Sequence, residues 1–321
     1  MNTLRAAVLV LAALAASPAL AQPAYPSRTI AIIAPFSPGT GIDILARTFG
    51  QKLSERWSVP VVVENRPGAS GNIGTELAAR AAGDGYTLMM TATTFALNPA
   101  LSKKARYDPL TSFAPVSLVA TGLLWFAVGP NTRVDSMSEF VALAKSNPGK
   151  LNYASSGNGT PQHLTMELFK LTAKVDITHV PYKGAADATR DLAGGVVDAM
   201  ILPVHTIAAL VQAGKVRLLA VLSEERSPVF PAVPTFREAG YPGVESSVWY
   251  GLMAPASTPT EVVRKLNGEI NALLALPEMR EFLTKQGLIP AGGEPERLSK
   301  LVRVELERWT RVIAEAKIRA D

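Results

Sequence analysis

The sequence contains no cysteine and only three histidines among its 321 residues. Without cysteine no disulfide can stabilise the fold, so its stability must come from a packed core. His163, His179 and His205 show no i,i+4 pairing with one another. Zinc sites are usually built from such pairs or from thiolates. We therefore expect no bound metal ion.

A strong net charge is lacking as well. Lys and Arg exceed Asp and Glu by five (32 against 27), and the basic residues are scattered rather than interleaved with aromatic residues. Nucleic-acid-binding surfaces concentrate basic side chains, so we expect no nucleic-acid partner. A small positive excess could attract anions, but it is too weak to support an assignment.

Long apolar runs are missing except at the N-terminus. Arg5 precedes an uninterrupted apolar run over residues 6–16, and Ala19–Ala21 has the small-x-small pattern of a cleavage site. The run is about half of the roughly 20 residues that a membrane-spanning helix needs. This order predicts a secretory signal peptide over residues 1–21, with Gln22 as the new N-terminus. An N-terminal core helix is the alternative.

After this segment, short apolar runs rich in β-branched residues alternate with amphipathic helical repeats. Such alternation is typical of an α/β fold in which helices flank mostly parallel sheets. A first unit has predicted strands at 30–34, 59–63 and 86–91 and predicted helices from residue 42 and over 72–82. A second unit has predicted strands at 151–154, 177–180, 197–202 and 216–222, with helices between them.

Two long apolar segments, 116–128 and 248–254, lie between the units and after the second one. The simplest layout lets the chain cross from one lobe to the other and back, with these two strands as a hinge. Lobe one would then comprise residues 22–123 and 249–321, and lobe two residues 124–248. In such a layout a ligand binds between the lobes, at the carboxyl ends of the strands.

Four loops that follow predicted strands carry the residues best suited to bind a ligand. The first, residues 35–43, contains Gly39 and Gly41, which let the backbone turn tightly and approach a ligand. The helix that follows offers unpaired amides and a positive dipole end, where carboxylates bind well. An ordinary strand-to-helix turn is the alternative. Ile44 replaces the third glycine of a dinucleotide fingerprint, so we expect no cofactor.

The second loop, residues 65–74, has glycines at 68, 71 and 74 and leads into a helix. It lacks the Lys-Ser/Thr pair of a P-loop, but it could form a second backbone nest for an anion. Arg66 could pair with a carboxylate, although we favour an exposed surface position for it.

The third loop, residues 154–163, contains Thr160 followed by a proline, which is typical of a helix N-cap and first turn. Ser155 and Ser156 place hydroxyls beside the helix amides, and together they could hold a second carboxylate. Catalysis by Ser156 with His163 would also need an orienting group and an oxyanion hole, and no G-x-S-x-G elbow is present.

The fourth loop, residues 180–184, contains Lys183, which we expect to be solvated rather than to form a Schiff base. Nests on two facing loops, one in each lobe, suit an anion with two carboxylates. The residues by themselves name neither the ligand nor a role in transport.

Several ordered stretches resemble the Bug family, the periplasmic solute-binding receptors of tripartite tricarboxylate transporters. They include ENRPGASGNIG from Glu64, NYASSGNGTPQHLTMELFK from Asn152 and HVPYKGAADATRDLAGGVVDAM from His179. The resemblance extends from about Tyr25 to Asp321. Many ordered matches at the spacing of the family are far more specific than any single motif.

The resemblance implies a two-lobed, type II-like clamshell of the periplasmic binding protein class. In this family one carboxylate is held mainly by main-chain amides and ordered waters from the first two loops. Carried over residue by residue, the implied ligand-binding positions are Phe36, Ser37, Gly39, Thr40, Gly41, Asp43, Ala69, Ser70, Gly71, Thr93, Ser155, Ser156, Gly157, Thr160, His163 and Gly184. Thr40 and Ile42 depart from the usual family pattern, which affects the fit of the ligand rather than the fold.

The function implied is capture of a small carboxylate, above all a di- or tricarboxylate, by a monomeric periplasmic receptor. The receptor would deliver it to the integral-membrane permease subunits of a tripartite tricarboxylate transporter. No catalytic residue is expected. A carboxylate sensor that signals to a partner remains open as an alternative, and so does a serine hydrolase.

Overall fold

The computed structural model describes residues 25–102, 105–182, 184–316 and 318, apart from the side chains of residues 204 and 205. The predicted signal peptide and its cleavage site lie outside the described residues, and so does Lys183.

The first unit is built around three parallel strands. Its elements are β1 (Ile30–Ala34), α1 (Gly41–Trp57), β2 (Val61–Asn65), a 3-10 turn (Ala69–Gly71), α2 (Asn72–Ala79), β3 (Thr87–Ala92) and α3 (Thr94–Leu101). Strand β1 lies between β2 and β3 and is parallel to both. The prediction placed β2 at 59–63. It begins at Val61 because Pro60 has no amide to donate, and the carbonyl of Pro60 accepts from the Ile30 amide instead.

A 16-residue strand, β4 (Phe113–Val128), leads from the first unit into the second. The second unit contains α4 (Met137–Ser146), β5 (Asn152–Ser155), α5 (Pro161–Ala173), β6 (Thr178–Pro181), α6 (Ala185–Ala193), β7 (Ala199–Pro203), α7 (Val204–Gln212) and β8 (Arg217–Val221). Strand β5 is parallel to β6 on one side and to β7 on the other.

The chain then returns to the first unit. The returning elements are β9 (Ser247–Pro255), α8 (Thr260–Ala275), α9 (Pro277–Lys285), β10 (Leu288–Pro290) and α10 (Pro295–Glu315). Strand β9 is antiparallel to both β3 and β4, so it closes the sheet of the first unit against the outgoing strand.

The two units share one ten-stranded sheet through β4. Residues 113–123 of β4 pair with β9, whereas residues 124–128 pair with β7, and residues 125–128 with β8 as well. The main strand order is β2-β1-β3-β9-β4-β7-β5-β6, and β8 and β10 add to β4. The α/β fold with two crossing strands is therefore confirmed, while the residue boundaries of the lobes stay a prediction.

Helix α3 and strand β10 were not predicted, because no local pattern marks them. Helix α3 contains Pro99, and it buries the four consecutive residues 95–98, so it shows no amphipathic period. Strand β10 has only three residues, and it forms because it pairs with residues 120–122 of β4. Tertiary packing rather than local pattern determines both elements.

Helix α10 packs against both units. Leu298 and Val302 near its start lie in the first unit's core with Ile33 and Met89. Further along the helix, Trp309, Val312 and Ile313 join the second unit's core, beside side chains of β4 and α5. The helix therefore connects the two units in addition to the crossing strands.

We expect Trp309→Ala to lower the free energy of unfolding by about 3–5 kcal/mol, because it removes a fully buried aromatic side chain. It also removes the indole N–H that donates to Glu305 Oε2 at 2.7 Å. Urea denaturation would measure the change. Val304→Ala on the same helix is the control, and since Val304 is 48% exposed it should change stability by less than about 0.5 kcal/mol. Equal effects of the two substitutions would contradict the bridging role of α10.

Candidate functional site

Two adjoining cavities lie between the units, at the carboxyl ends of β1 and β3. The larger chamber, of about 470 Å³, is lined by Phe36, Ala69, Ser70, Asn72, Thr94, Asn98, Leu101, Ser102, Asn158, Gly159 and Thr160. The smaller chamber, of about 190 Å³, is lined by Phe36, Thr40, Gly41, Ile42, Ala92, Thr93, Thr94, Pro161, Gln162, Val248 and Tyr250. Because both chambers include Phe36 and Thr94, they form one cleft.

The N-terminus of α1 opens into the smaller chamber. Thr40 occupies the N-cap position, but its hydroxyl donates to the Ser37 carbonyl at 2.9 Å and caps no helix amide. Among the described residues, no acceptor is found for the amides of Gly41 and Ile42. These N–H groups and the positive end of a 17-residue helix are therefore available to an anion in the chamber.

Asp43, a predicted ligand contact, instead holds the first loop from behind. Its buried carboxylate accepts from the Gly39 amide at 2.9 Å and from Asn65 Nδ2 at 2.8 Å, and it pairs with Arg47 at 3.0 Å. Burial alone would raise the pKa of Asp43, but these hydrogen bonds and the Arg47 charge hold it below its ordinary value. The Gly39 amide is thus already used within the loop.

The second loop has an unusual backbone. Residues 68–71 all have positive φ, and Ala69 (48°) and Ser70 (56°) among them are not glycine. Such conformations cost of order 1 kcal/mol each and persist only where other contacts impose them. Here Asn98 Nδ2 from α3 donates to the Ser70 carbonyl at 2.8 Å and to Asn72 Oδ1 at 2.9 Å. The Asn98 side chain therefore fixes the turn that lines the larger chamber.

The third loop is largely satisfied by its own groups. The Gly159 amide donates to His163 Nδ1 at 3.0 Å, and the His163 amide donates to the Thr160 hydroxyl at 3.4 Å. Ser155 is fully buried and its hydroxyl lies 2.7 Å from His179 Nε2. Of these residues, Gly159 and Thr160 face the cleft, whereas Ser155 and His163 lie behind it.

A stack of three rings supports this loop. The rings of His163 and His179 are 4.0 Å apart and nearly parallel, and Tyr153 stacks on His179 at 4.7 Å. Burial lowers the pKa of His163 to about 3, with smaller contributions from the charges of His179 and Lys170. Burial also lowers the pKa of His179. Both imidazoles are therefore neutral near pH 7.

This arrangement does not suit hydrolysis. His163, the predicted partner of Ser156 in that alternative, uses Nδ1 to accept from Gly159 and is 6% exposed. The short contact between Ser155 and His179 has a nucleophile–base geometry, but Ser155 is 0% exposed and cannot meet a substrate. The pair maintains the shape of the loop.

The remaining predicted positions divide in the same way. Phe36, Thr40, Gly41, Ala69, Ser70, Thr93 and Thr160 line the chambers, whereas Ser37, Gly71, Ser156, Gly157 and Gly184 are not among the lining residues. Thr93 also accepts from the Trp249 amide at 3.0 Å, which ties the end of β3 to β9. Arg66 is exposed and pairs with Glu64 at 2.8 Å, as expected.

Sequence reasoning missed the contribution of α3 and of β9. Thr94, Asn98 and Leu101 lie on the helix that was not predicted, and Tyr250 lies within an apolar strand assigned only to the hinge. One signal for α3 was available in the sequence, namely its position. It directly follows the carboxyl end of β3, the end of the strands at which a ligand was expected. None of the lining residues in the described part of the chain carries a formal charge, so the cleft would bind an anion through neutral donors.

A neutral, donor-rich cleft between two α/β units that share crossing strands defines a two-lobed solute-binding protein. Comparison with known proteins gives the family. Residues 45–318 match the model of the tripartite tricarboxylate transporter family receptor, and the chain belongs to this family. The family is periplasmic. No helix in the described ranges has both the length and the apolar character needed to cross a membrane.

Two relatives match more than nine tenths of the chain. A protein of the tcbD-tcbE intergenic region of Pseudomonas sp. strain P51 is 40% identical over 93% of this chain and 89% of its own length. Protein BugT of Bordetella pertussis is 37% identical over 91% of this chain and 90% of its own length, which confirms the resemblance to the Bug family.

Solved structures of solute-binding proteins have a similar fold. Rpa4515 of R. palustris with adipate has a TM-score of 0.79 and 36% identity, covering 92% of this chain and 99% of its own. MatC from Rhodopseudomonas palustris with bound malate has a TM-score of 0.76 and 33% identity, covering 90% of this chain and 100% of its own. The family and these neighbours are solute-binding proteins, so the chain is not an enzyme and the hydrolase alternative is rejected.

The neutral state of His163 predicts a pH dependence of stability. Because its pKa is about 3 when folded against 6.5 ordinarily, the unfolded chain binds more protons between these values. The stabilisation is complete above the unfolded pKa and is lost as the pH falls toward the folded one. His163→Asn keeps an acceptor for the Gly159 amide and cannot titrate. In this variant the free energy of unfolding should change less steeply with pH between about 4 and 6.5. The slope should fall by the amount that corresponds to roughly one bound proton.

Urea denaturation at several pH values would measure these slopes in both proteins. The pH dependence of stability that persists in the variant arises from the remaining titratable groups, including His179. Identical slopes in the wild type and the variant would show that His163 is not held neutral by the fold.

Proposed function

We propose that this protein captures a small carboxylate in the inter-lobe cleft and delivers it to the permease subunits of a tripartite tricarboxylate transporter. The observation that carries the proposal is the uncapped N-terminus of α1, which opens into the smaller chamber. Adipate and malate, the ligands of two neighbouring structures, are both small carboxylates and support the proposed class of ligand.

The proposed seat for the carboxylate consists of the free amides of Gly41 and Ile42 at the end of the helix dipole. An anion at such a site gains about 0.3–1 kcal/mol from the dipole alone, and more when water is excluded. Hydrogen bonds between amides and a charged carboxylate are stronger than those between neutral groups. Neutral donors are therefore sufficient, and a buried arginine is not needed.

Lobe two offers a weaker seat for a second carboxylate. In the first turn of α5, Pro161 has no amide hydrogen and the His163 amide is occupied by Thr160. Gln162, which lines the smaller chamber, is left as the donor of this turn. The preference for a di- or tricarboxylate stays a prediction. For such a ligand, α1 would hold the first carboxylate and Gln162 would face the other end.

The proposal includes closure of the lobes on the ligand. The crossing strands β4 and β9 would supply the hinge, and the proposed lobes come into contact beside the larger chamber. A Cβ added at Gly159 would lie 2.6 Å from Leu101 Cδ1, so lobe two touches α3 at the larger chamber. A permease that docks on the closed form would receive only the loaded protein. A sensor would use the same closure, and only the identity of the partner would differ.

The proposal predicts the effect of Thr40→Asp. Aspartate at an N-cap accepts from first-turn amides, so its carboxylate would occupy the site that we assign to the ligand. We expect unchanged or slightly higher stability, by up to about 1 kcal/mol, and loss of carboxylate binding. Thr40→Ser, which retains the hydroxyl that donates to the Ser37 carbonyl, is the matched control and should bind as the wild type does.

Thermal unfolding with a panel of carboxylates that includes adipate and malate would test both variants. A ligand at 100 times its Kd stabilises the folded state by about 2.7 kcal/mol. If no carboxylate stabilises the wild type, the proposed function is wrong. If Thr40→Asp binds as well as Thr40→Ser, the carboxylate does not bind at the start of α1.

A further inference from the structure

Tyr250 lies at the centre of the shared sheet, in the strand that returns from lobe two. It pairs with Ala92 of β3 on one side and with Ala120 of β4 on the other. Its side chain packs against the core of the first unit and lines the smaller chamber together with the start of α1. A single side chain thus joins the hinge to the proposed carboxylate seat.

The phenol approaches α1 at Gly41. A Cβ added at Gly41 would lie 2.7 Å from Tyr250 Oη and 3.2 Å from Cζ, which is closer than a methyl group can be accommodated. Gly39, two residues earlier, is different. It has a φ of +82° and no atom within 4 Å of an added Cβ. Gly39 is therefore needed for its backbone conformation, whereas Gly41 is needed for space.

The hydroxyl of Tyr250 belongs to a residue that lines the smaller chamber, where it is available as a donor. Tyr250 is half-buried, whereas the buried phenols Tyr107 and Tyr153 are paired, with Tyr107 Oη donating to the Phe95 carbonyl at 3.0 Å and Tyr153 Oη to Glu167 at 2.6 Å. Within the described residues, no hydrogen-bond partner is found for Tyr250 Oη. Burial raises the pKa of Tyr250, so the group keeps its proton and can donate it to a hydrogen bond near pH 7.

We propose that Tyr250 is a direct ligand contact whose hydroxyl donates to a carboxylate oxygen held by the first-turn amides of α1. In this proposal Gly41 is the position whose missing side chain lets the phenol reach the carboxylate. The inference rests on the proposed function, because it specifies one donor within the same site.

A phenol hydroxyl completes the geometry of this seat. The amides of Gly41 and Ile42 reach the carboxylate from the helix end, and Tyr250 reaches it from the sheet. Because Tyr250 is neutral, the seat gains a donor without adding a charge that would have to be buried in the unliganded protein. Because it belongs to β9, it holds the ligand against the strand about which the lobes would close.

The test uses Tyr250→Phe, Gly41→Ala and the double variant, with adipate and malate as probes and calorimetry as the measurement. Loss of a hydrogen bond to a charged group should weaken binding of a probe that the wild type binds by about 10- to 100-fold in Tyr250→Phe. Gly41→Ala should weaken it by a comparable factor, because the added methyl displaces the phenol. In the Tyr250→Phe background Gly41→Ala should cost less, so the two effects should not multiply.

Tyr241→Phe is the matched control. This phenol packs against Phe169 in the core of lobe two and lines neither chamber, so its variant should bind as the wild type does. Circular dichroism melting would show that each variant is folded, and Gly41→Ala provides an independent test should Tyr250→Phe be unstable.

The possible outcomes distinguish the role of Tyr250 from the proposed function. A wild type that binds carboxylates while Tyr250→Phe binds them equally well overturns the role of Tyr250 and leaves the proposed function standing. Fully multiplicative effects of Gly41→Ala and Tyr250→Phe overturn the steric link between the two positions. A wild type that binds no carboxylate of the wider panel overturns both proposals.

Discussion

The pairing of β4 with β9 is the constraint on which the rest of the structure depends. Strand β4 exchanges partners between Leu123, which pairs with β9, and Leu124, which pairs with β7. One strand therefore belongs to both units without an intervening linker. The cleft lies beside this exchange, and Thr93 and Tyr250 attach its floor directly to β3 and β9. Opening of the cleft must involve bending of the sheet itself.

A second principle recurs in the loops. Each of the first three loops is held from behind by a polar side chain and presents its front to the cleft. Asp43 secures the first loop, Asn98 secures the second, and the stacked pair of His163 and His179 secures the third. Buried polar groups of this kind are stable only when their hydrogen bonds are made. Because these side chains fix the conformation of the loops from inside the protein, several of them do not line the cleft.

The sequence predicted the general architecture well because hydrophobic periodicity reports burial, and burial follows from the fold. Strand β1 occupies the predicted residues 30–34, and the two long apolar segments became the crossing strands. The start of α1 was also predicted, since glycines before an amphipathic helix are a local signal. The sequence predicted less of the site where a residue depends on a partner distant in the chain.

Ser155 and His163 illustrate this limit. Their hydroxyl and imidazole looked available, but both contact His179 of β6, which is hydrogen-bonded to the Ser155 hydroxyl and stacked on the His163 ring, and no local pattern reveals these contacts. Asn98 was missed because its helix carries a proline and no period. Gly41 was predicted for conformational freedom, whereas the structure shows that the phenol of Tyr250 occupies the space beside it.

The path of α10 has a consequence for how the chain acquires its structure. The core of the second unit, formed mostly by the middle of the sequence, includes Trp309, Val312 and Ile313 from near its end. The middle of the chain therefore cannot complete its packing while it is still being synthesised, because the last side chains that it needs have not yet left the ribosome. Folding of the second unit can therefore be completed only once residues 309–313 have been synthesised, well after residues 124–248 are available.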